Sequence, residues 1–131
     1  MLNDPSFIQR SWFRKFRDAF RGVKVGVRGQ SSFRVHLAVA IVVAVAGIVL
    51  RVTLTEWCIL GLCVAGVLTA EMFNSSLESM AKAITGESDP HLGNSLDIAS
   101  AALLVASIGS AAVGAVIFGN RLGILLRWWG G

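Results

Sequence analysis

The chain has 131 residues, 54% of them hydrophobic and only 15% charged, with twelve Lys and Arg against eight Asp and Glu for a net charge of +4. So little charge excludes an ordinary soluble domain, in which about a quarter of residues are charged, and the length allows a single domain. The mean hydropathy of +0.67 points to a membrane protein.

The N-terminal third holds most of the positive charge: Arg10, Arg14, Lys15, Arg17, Arg21, Lys24, Arg28 and Arg34. After a polar stretch over residues 1–10, Ser11 reads as an N-cap. Phe13, Phe16, Phe20, Val23 and Val27 then recur at helical spacing. The cations follow the same spacing one residue behind. That is the pattern of a helix lying in a membrane interface, with an anionic lipid surface as its partner. No RNA-binding signature accompanies the charge, so nucleic acid is not expected as a partner. The start does not read as a secretory signal peptide, because about thirty polar and amphipathic residues precede the first apolar run.

A first membrane helix is expected over about 34–54. It is built on the run Leu37–Leu50 and extended by Val52 and Leu54, with Arg51 snorkelling. A second is expected over 57–85, opening at the interfacial Trp57. Residues 86–94 read as a loop, and a third helix is expected over 95–119, since Ile98–Gly119 carries no charge. The tail, 120–131, holds Arg121, Arg127, Trp128 and Trp129, a second interfacial belt. Cys58 and Cys63 lie five apart in an apolar run and read as free thiols buried in the membrane. Small residues recur every four positions (Gly61 and Ala65; Ala106, Ser110 and Gly114), which favours close helix approach and a homo-oligomer. The basic N-terminus should stay cytoplasmic in this multi-pass protein.

One stretch breaks the apolar pattern. In AEMFNSSLE, Glu71, Asn74 and Glu78 share a helix face, with Ser75 one turn from Glu71 and Lys82 one turn past Glu78. An acid at membrane depth should face the bundle interior and is a functional candidate. Asp97 and Ser100 open the third helix nearby. Carboxylates and a carboxamide at a membrane surface suit phosphoryl transfer to a lipid alcohol: a base for the hydroxyl, and oxygen ligands for the magnesium of ATP. The competing reading is that Glu71 and Asn74 only hydrogen-bond helices together in a non-catalytic scaffold. His36, which opens the first span, reads as a packing or interfacial histidine. His91 reads as an exposed loop residue. No Walker motif is present.

The stretch E-x-x-N-[ST]-x-[IL]-E, here Glu71, Asn74, Ser75, Leu77 and Glu78, resembles the hallmark of the prokaryotic diacylglycerol kinase and undecaprenol kinase family. DIASAALL from Asp97, AFRG at 19–22 and the pair Glu56–Trp57 fit the same family. The resemblance implies an all-α integral membrane protein: a basic amphipathic interfacial segment over 1–32, with its helix from Ser11, and three transmembrane helices, assembled as a homotrimer. It implies a single lipid-kinase domain over 1–131 in the cytoplasmic (inner) membrane. The activity implied is transfer of the γ-phosphate of ATP, with Mg2+, to diacylglycerol; undecaprenol is the alternative acceptor and an inactive pseudokinase scaffold the alternative of another class. Glu71 would be the catalytic base, and Glu78 would hold the metal. Asn74, Asp97 and Glu87 would serve the nucleotide. Glu71, Ser100 and Arg34 would lie nearest the lipid. The chain departs from the family at three places: Gln30 stands where a second metal-binding Glu is usual, Lys82 where an Asp is, and Leu96 where a Lys is. Gln30 still offers a metal an oxygen, and Lys82 is the candidate replacement cation for ATP.

Overall fold

The computed structural model describes residues 11–29, 31–84 and 89–127. Every regular element among them is a helix: α1 (Trp12–Gly29), α2 (Ser31–Val49), α3 (Leu54–Ile84) and α4 (Pro90–Leu125). Ser11 caps α1 as its sequence suggests, its Oγ accepting the Arg14 N–H at 3.3 Å. Phe13, Phe16 and Phe20 stay exposed, as an interfacial helix requires. The glycines do not stop α1 before Gly29. Gly22 and Gly26 instead help line a groove against α3. Phe33 is buried at the α1–α2 corner, and Arg34 Nη2 donates to the Arg28 carbonyl at 3.0 Å, so the corner is held from both sides.

The first apolar helix is shorter than expected. Its apolar part is Phe33–Val49, 17 residues, against about 20 for a full crossing. It does not continue through Arg51, because Arg51 adopts φ 55°, the left-handed conformation. There the Arg51 N–H bonds to the Ile48 carbonyl at 3.3 Å and the Val52 N–H to the Gly47 carbonyl at 3.2 Å. This pair of bonds closes a helix C-terminus. Glycine usually takes that position; here Arg121 of α4 supports an arginine in it. Its Nε and Nη2 donate to the Leu50 and Arg51 carbonyls at 3.3 and 2.7 Å. Arg51 therefore ends the helix and does not snorkel from within it.

Thr53 and Glu56 open α3 as a reciprocal capping box. The Glu56 N–H donates to Thr53 Oγ1 at 3.2 Å, and the Thr53 N–H donates to Glu56 Oε1 at 2.9 Å. Helix α4 opens at Pro90, ahead of the expected residue 95, and runs beyond Gly119 to Leu125. The reason is the pair Asp89–Pro90. Asp89 accepts the N–H groups of His91 and Leu92 at 2.9 and 3.1 Å, and proline suits the first helical position. His91 is thus an exposed helix residue and not a loop residue. Asp89→Ala should lower stability by about 1 kcal/mol, read as a lower Tm by circular dichroism in detergent.

Helices α3 and α4 are each long and apolar enough to cross a bilayer, which indicates an integral membrane protein. They pack along each other, and Ser110 Oγ donates to the Cys63 carbonyl at 3.3 Å. At the end away from α1, Val52, Leu60 and Ile117 form the core, with Val43, Trp57 and Phe118 against it. Trp57 is not only an interfacial aromatic, since its six-membered ring packs closely against Gly47 of α2. Both cysteines are free, but Cys58 is exposed instead of buried. Gly61 and Gly114, expected at close helix contacts, have open space where a side chain would point.

Candidate functional site

Glu71 is 1% exposed and is the largest side chain buried to that degree among the described residues. It lies on α3, four residues after the last of the apolar run WCILGLCVAGV. From α2, His36 reaches the same point, with its Nε2 3.6 Å from Glu71 Oε2. The helical register of α3 then lines up Asn74, Ser75 and Glu78 toward the membrane edge. Asn74 is 8% exposed, and its Nδ2 donates to Glu78 Oε1 at 3.1 Å. From α4, Ser100 Oγ donates to Asn74 Oδ1 at 3.5 Å. Asn74 thus uses both ends of its carboxamide, one toward the shallower acid and one toward the third long helix. Ser75 is 9% exposed, and its Oγ has no hydrogen-bond partner among the described residues.

Three helices therefore converge on Glu71, Asn74, Glu78 and Ser100, all expected from the sequence, and on His36, which was not. Other expected residues stand apart. Asp97 is exposed, one turn before Ser100 on α4. Lys82 is exposed too, and no ion pair joins it to Glu78 among the described residues. Arg34 is turned to the Arg28 carbonyl. Gln30 and Glu87 lie outside the described residues. Among the described residues no group of three or more His, Cys, Asp or Glu could hold a metal ion. The nearest approach to a ligand set is Glu78 beside the Asn74 carboxamide. That fits an ion carried in by phosphates, because magnesium commonly takes only one or two protein carboxylates besides them.

Two grooves flank this cluster. An apolar one of about 760 Å³ lies between α2, α3 and α4, with His36 at its head and Val39, Val43, Val67, Ala111 and Phe118 along it. A polar one of about 800 Å³ lies between α1 and α3 and is lined by Asp18, Arg21, Ser75, Ser76, Ser79 and Lys82 among others. The first can take hydrocarbon. The second offers cations and hydroxyls to an anion. The cluster of buried acid and amide lies between an oily surface and a polar one.

Comparison with known proteins places the chain among membrane lipid kinases by sequence. An undecaprenol kinase from Bacillus subtilis is 29% identical over 111 residues, 85% of this chain and 90% of that protein. A diacylglycerol kinase from Synechocystis is 31% identical over 100 residues, 76% of this chain and 57% of that longer protein. No solved structure matches the chain. The model for the family described as prokaryotic diacylglycerol kinase matches residues 17–118, which include all five residues gathered around Glu71, and the chain belongs to that family.

Proposed function

We propose that the protein is an ATP-dependent membrane lipid kinase that moves the γ-phosphate of Mg-ATP to the hydroxyl of diacylglycerol, giving phosphatidic acid. The observation that carries this reading is Glu71: a carboxylate 1% exposed, beside the head of an apolar groove, one helical turn from an amide and two from a second acid. In this reading the acceptor's chains lie in the groove and its hydroxyl meets Glu71. Glu71 takes the hydroxyl proton as the acceptor oxygen bonds to the γ-phosphorus. The bond from that phosphorus to the β-phosphate oxygen breaks, and ADP leaves. Asn74 keeps Glu78 in register by its 3.1 Å hydrogen bond. Glu78 would hold the magnesium ion of the nucleotide, which when bound neutralises phosphate charge.

The nucleotide enters from the basic face. Arg21 and Lys82 in the polar groove are the cations offered to its phosphates, and Asp97 and Glu87 are the acids assigned to the rest of it. Arg34, at the α1–α2 corner, stands at the level of lipid phosphates, and Ser100 faces the acceptor side. The amphipathic α1 lies on the cytoplasmic face of the inner membrane, α2, α3 and α4 are the three spans, and the protein is a homotrimer. The open space at Gly61 and Gly114 is room for a neighbouring copy's helices, since small residues let membrane helices approach closely.

A second acceptor has a specific observation behind it: the Bacillus relative named undecaprenol kinase matches over 85% of this chain. Purified protein in mixed micelles, given γ-labelled ATP with either diacylglycerol or undecaprenol, tests both. Label in phosphatidic acid supports the first reading and label in the isoprenoid phosphate the second. Silence on both, with a folded protein, leaves a non-catalytic scaffold.

A further inference from the structure

We propose that His36 is a positioning residue for Glu71, fixing the orientation of the carboxylate. This inference rests on the reading of Glu71 as the base. An ionised carboxylate removed from water is strongly destabilised unless polar or cationic groups face it. Glu71 is 1% exposed, and beyond His36 the helix α2 runs from Leu37 to Val49 without a charged residue. Into this setting His36 brings an imidazole nitrogen 3.6 Å from Oε2. That separation is an electrostatic contact, longer than a hydrogen bond. It places the imidazole where it orients the carboxylate.

On α3, Glu78 accepts from Asn74. On α2, Arg34 reaches back to the Arg28 carbonyl. On α4, Asp97 is exposed. The imidazole also heads the apolar groove. It therefore stands where an acceptor hydroxyl leaves the hydrocarbon for the acid. A packing histidine would need only its ring; a positioning histidine needs the nitrogen at Nε2. The two roles separate by substitution, since phenylalanine keeps the ring and glutamine keeps a nitrogen at nearly the same reach.

The test uses the full chain in lipid vesicles, with H36F, H36Q, E71Q and the double variant H36F/E71Q, each checked for thermal stability and oligomeric state. The expected result is that H36F lowers kcat at least about tenfold with KM for ATP unchanged, while H36Q retains most of the turnover. The double variant should be no slower than E71Q alone, because two residues that act as one unit are not additive. Full turnover in H36F beside a dead E71Q overturns the proposal and leaves the base reading standing. Turnover surviving in E71Q overturns the base reading instead. If H36F does not fold, H36Q against H36N decides: only the longer amide reaches Oε2, and equal turnover in the two overturns the proposal.

Discussion

Glu71→Gln is expected to lower turnover by about 10²- to 10⁴-fold, the usual contribution of a general base, while the protein stays folded and oligomeric. The substitution removes one charge and almost no volume. Because Glu71 is 1% exposed, water cannot readily take over as proton acceptor. The neutral amide fits the same space and keeps a polar group opposite His36, so helix packing should survive. Measured as γ-phosphate transferred to lipid, with thermal unfolding run in parallel, the result separates two readings of the same residue. A kinase loses turnover and keeps its assembly. A scaffold whose acid only joins helices keeps nothing to lose in turnover and comes apart on heating.

Gly47→Val should destabilise the fold by about 1–3 kcal/mol, the range for overpacking a filled interior. A Cβ at Gly47 would stand 2.8 and 2.9 Å from Cζ3 and Cζ2 of Trp57, and nearer still to Cη2. The indole cannot simply turn away, because it packs against the cluster of Val52, Leu60 and Ile117. A lower Tm in detergent is the expected reading. Adding Trp57→Leu should recover part of the loss, since residues in contact do not behave additively. Any Gly47→Val protein that folds should keep normal KM for ATP, because Gly47 lies three helical turns from His36.

The contrast between these two positions shows what was legible in the sequence. Charge in an apolar run is conspicuous, so Glu71, Asn74 and Glu78 stand out, and their spacing gives their shared face. The caps were partly legible. The sequence places a cap at Ser11, where the structure has one, but reads Asp89–Pro90 as loop, because the same residues that start helices also make turns. Arg51 was misread because hydropathy does not report a left-handed backbone. The arginine is held there by Arg121, 70 residues away. His36 was missed for a related reason: its partner lies on another helix. A signal was available. Once Trp57 is placed on Gly47, counting back to His36 and forward to Glu71 brings the two to within about a turn of the same depth. A histidine and an acid at matching depth on adjacent antiparallel helices are candidates for a pair. Asp97 and Lys82 make no such contact among the described residues, and a sequence motif does not say what its residues touch.

The early stop at Arg51 has a consequence for the membrane itself. In the proposed three-span arrangement, the 17-residue apolar segment of α2, Phe33–Val49, covers about 25 Å at 1.5 Å per residue, against about 30 Å of hydrocarbon. The neighbouring α3 and α4 have 31 and 36 residues and carry no such shortfall. Lipid beside α2 must therefore thin, by about 5 Å, to avoid exposing apolar surface or burying the arginine cap. That dimple forms on the flank where His36 and Glu71 sit. A lipid headgroup there starts closer to the buried acid than it would in undisturbed bilayer. Membrane thickness then becomes a variable of the reaction: vesicles of longer-chain phosphatidylcholine should slow acceptor phosphorylation more than they slow ATP binding.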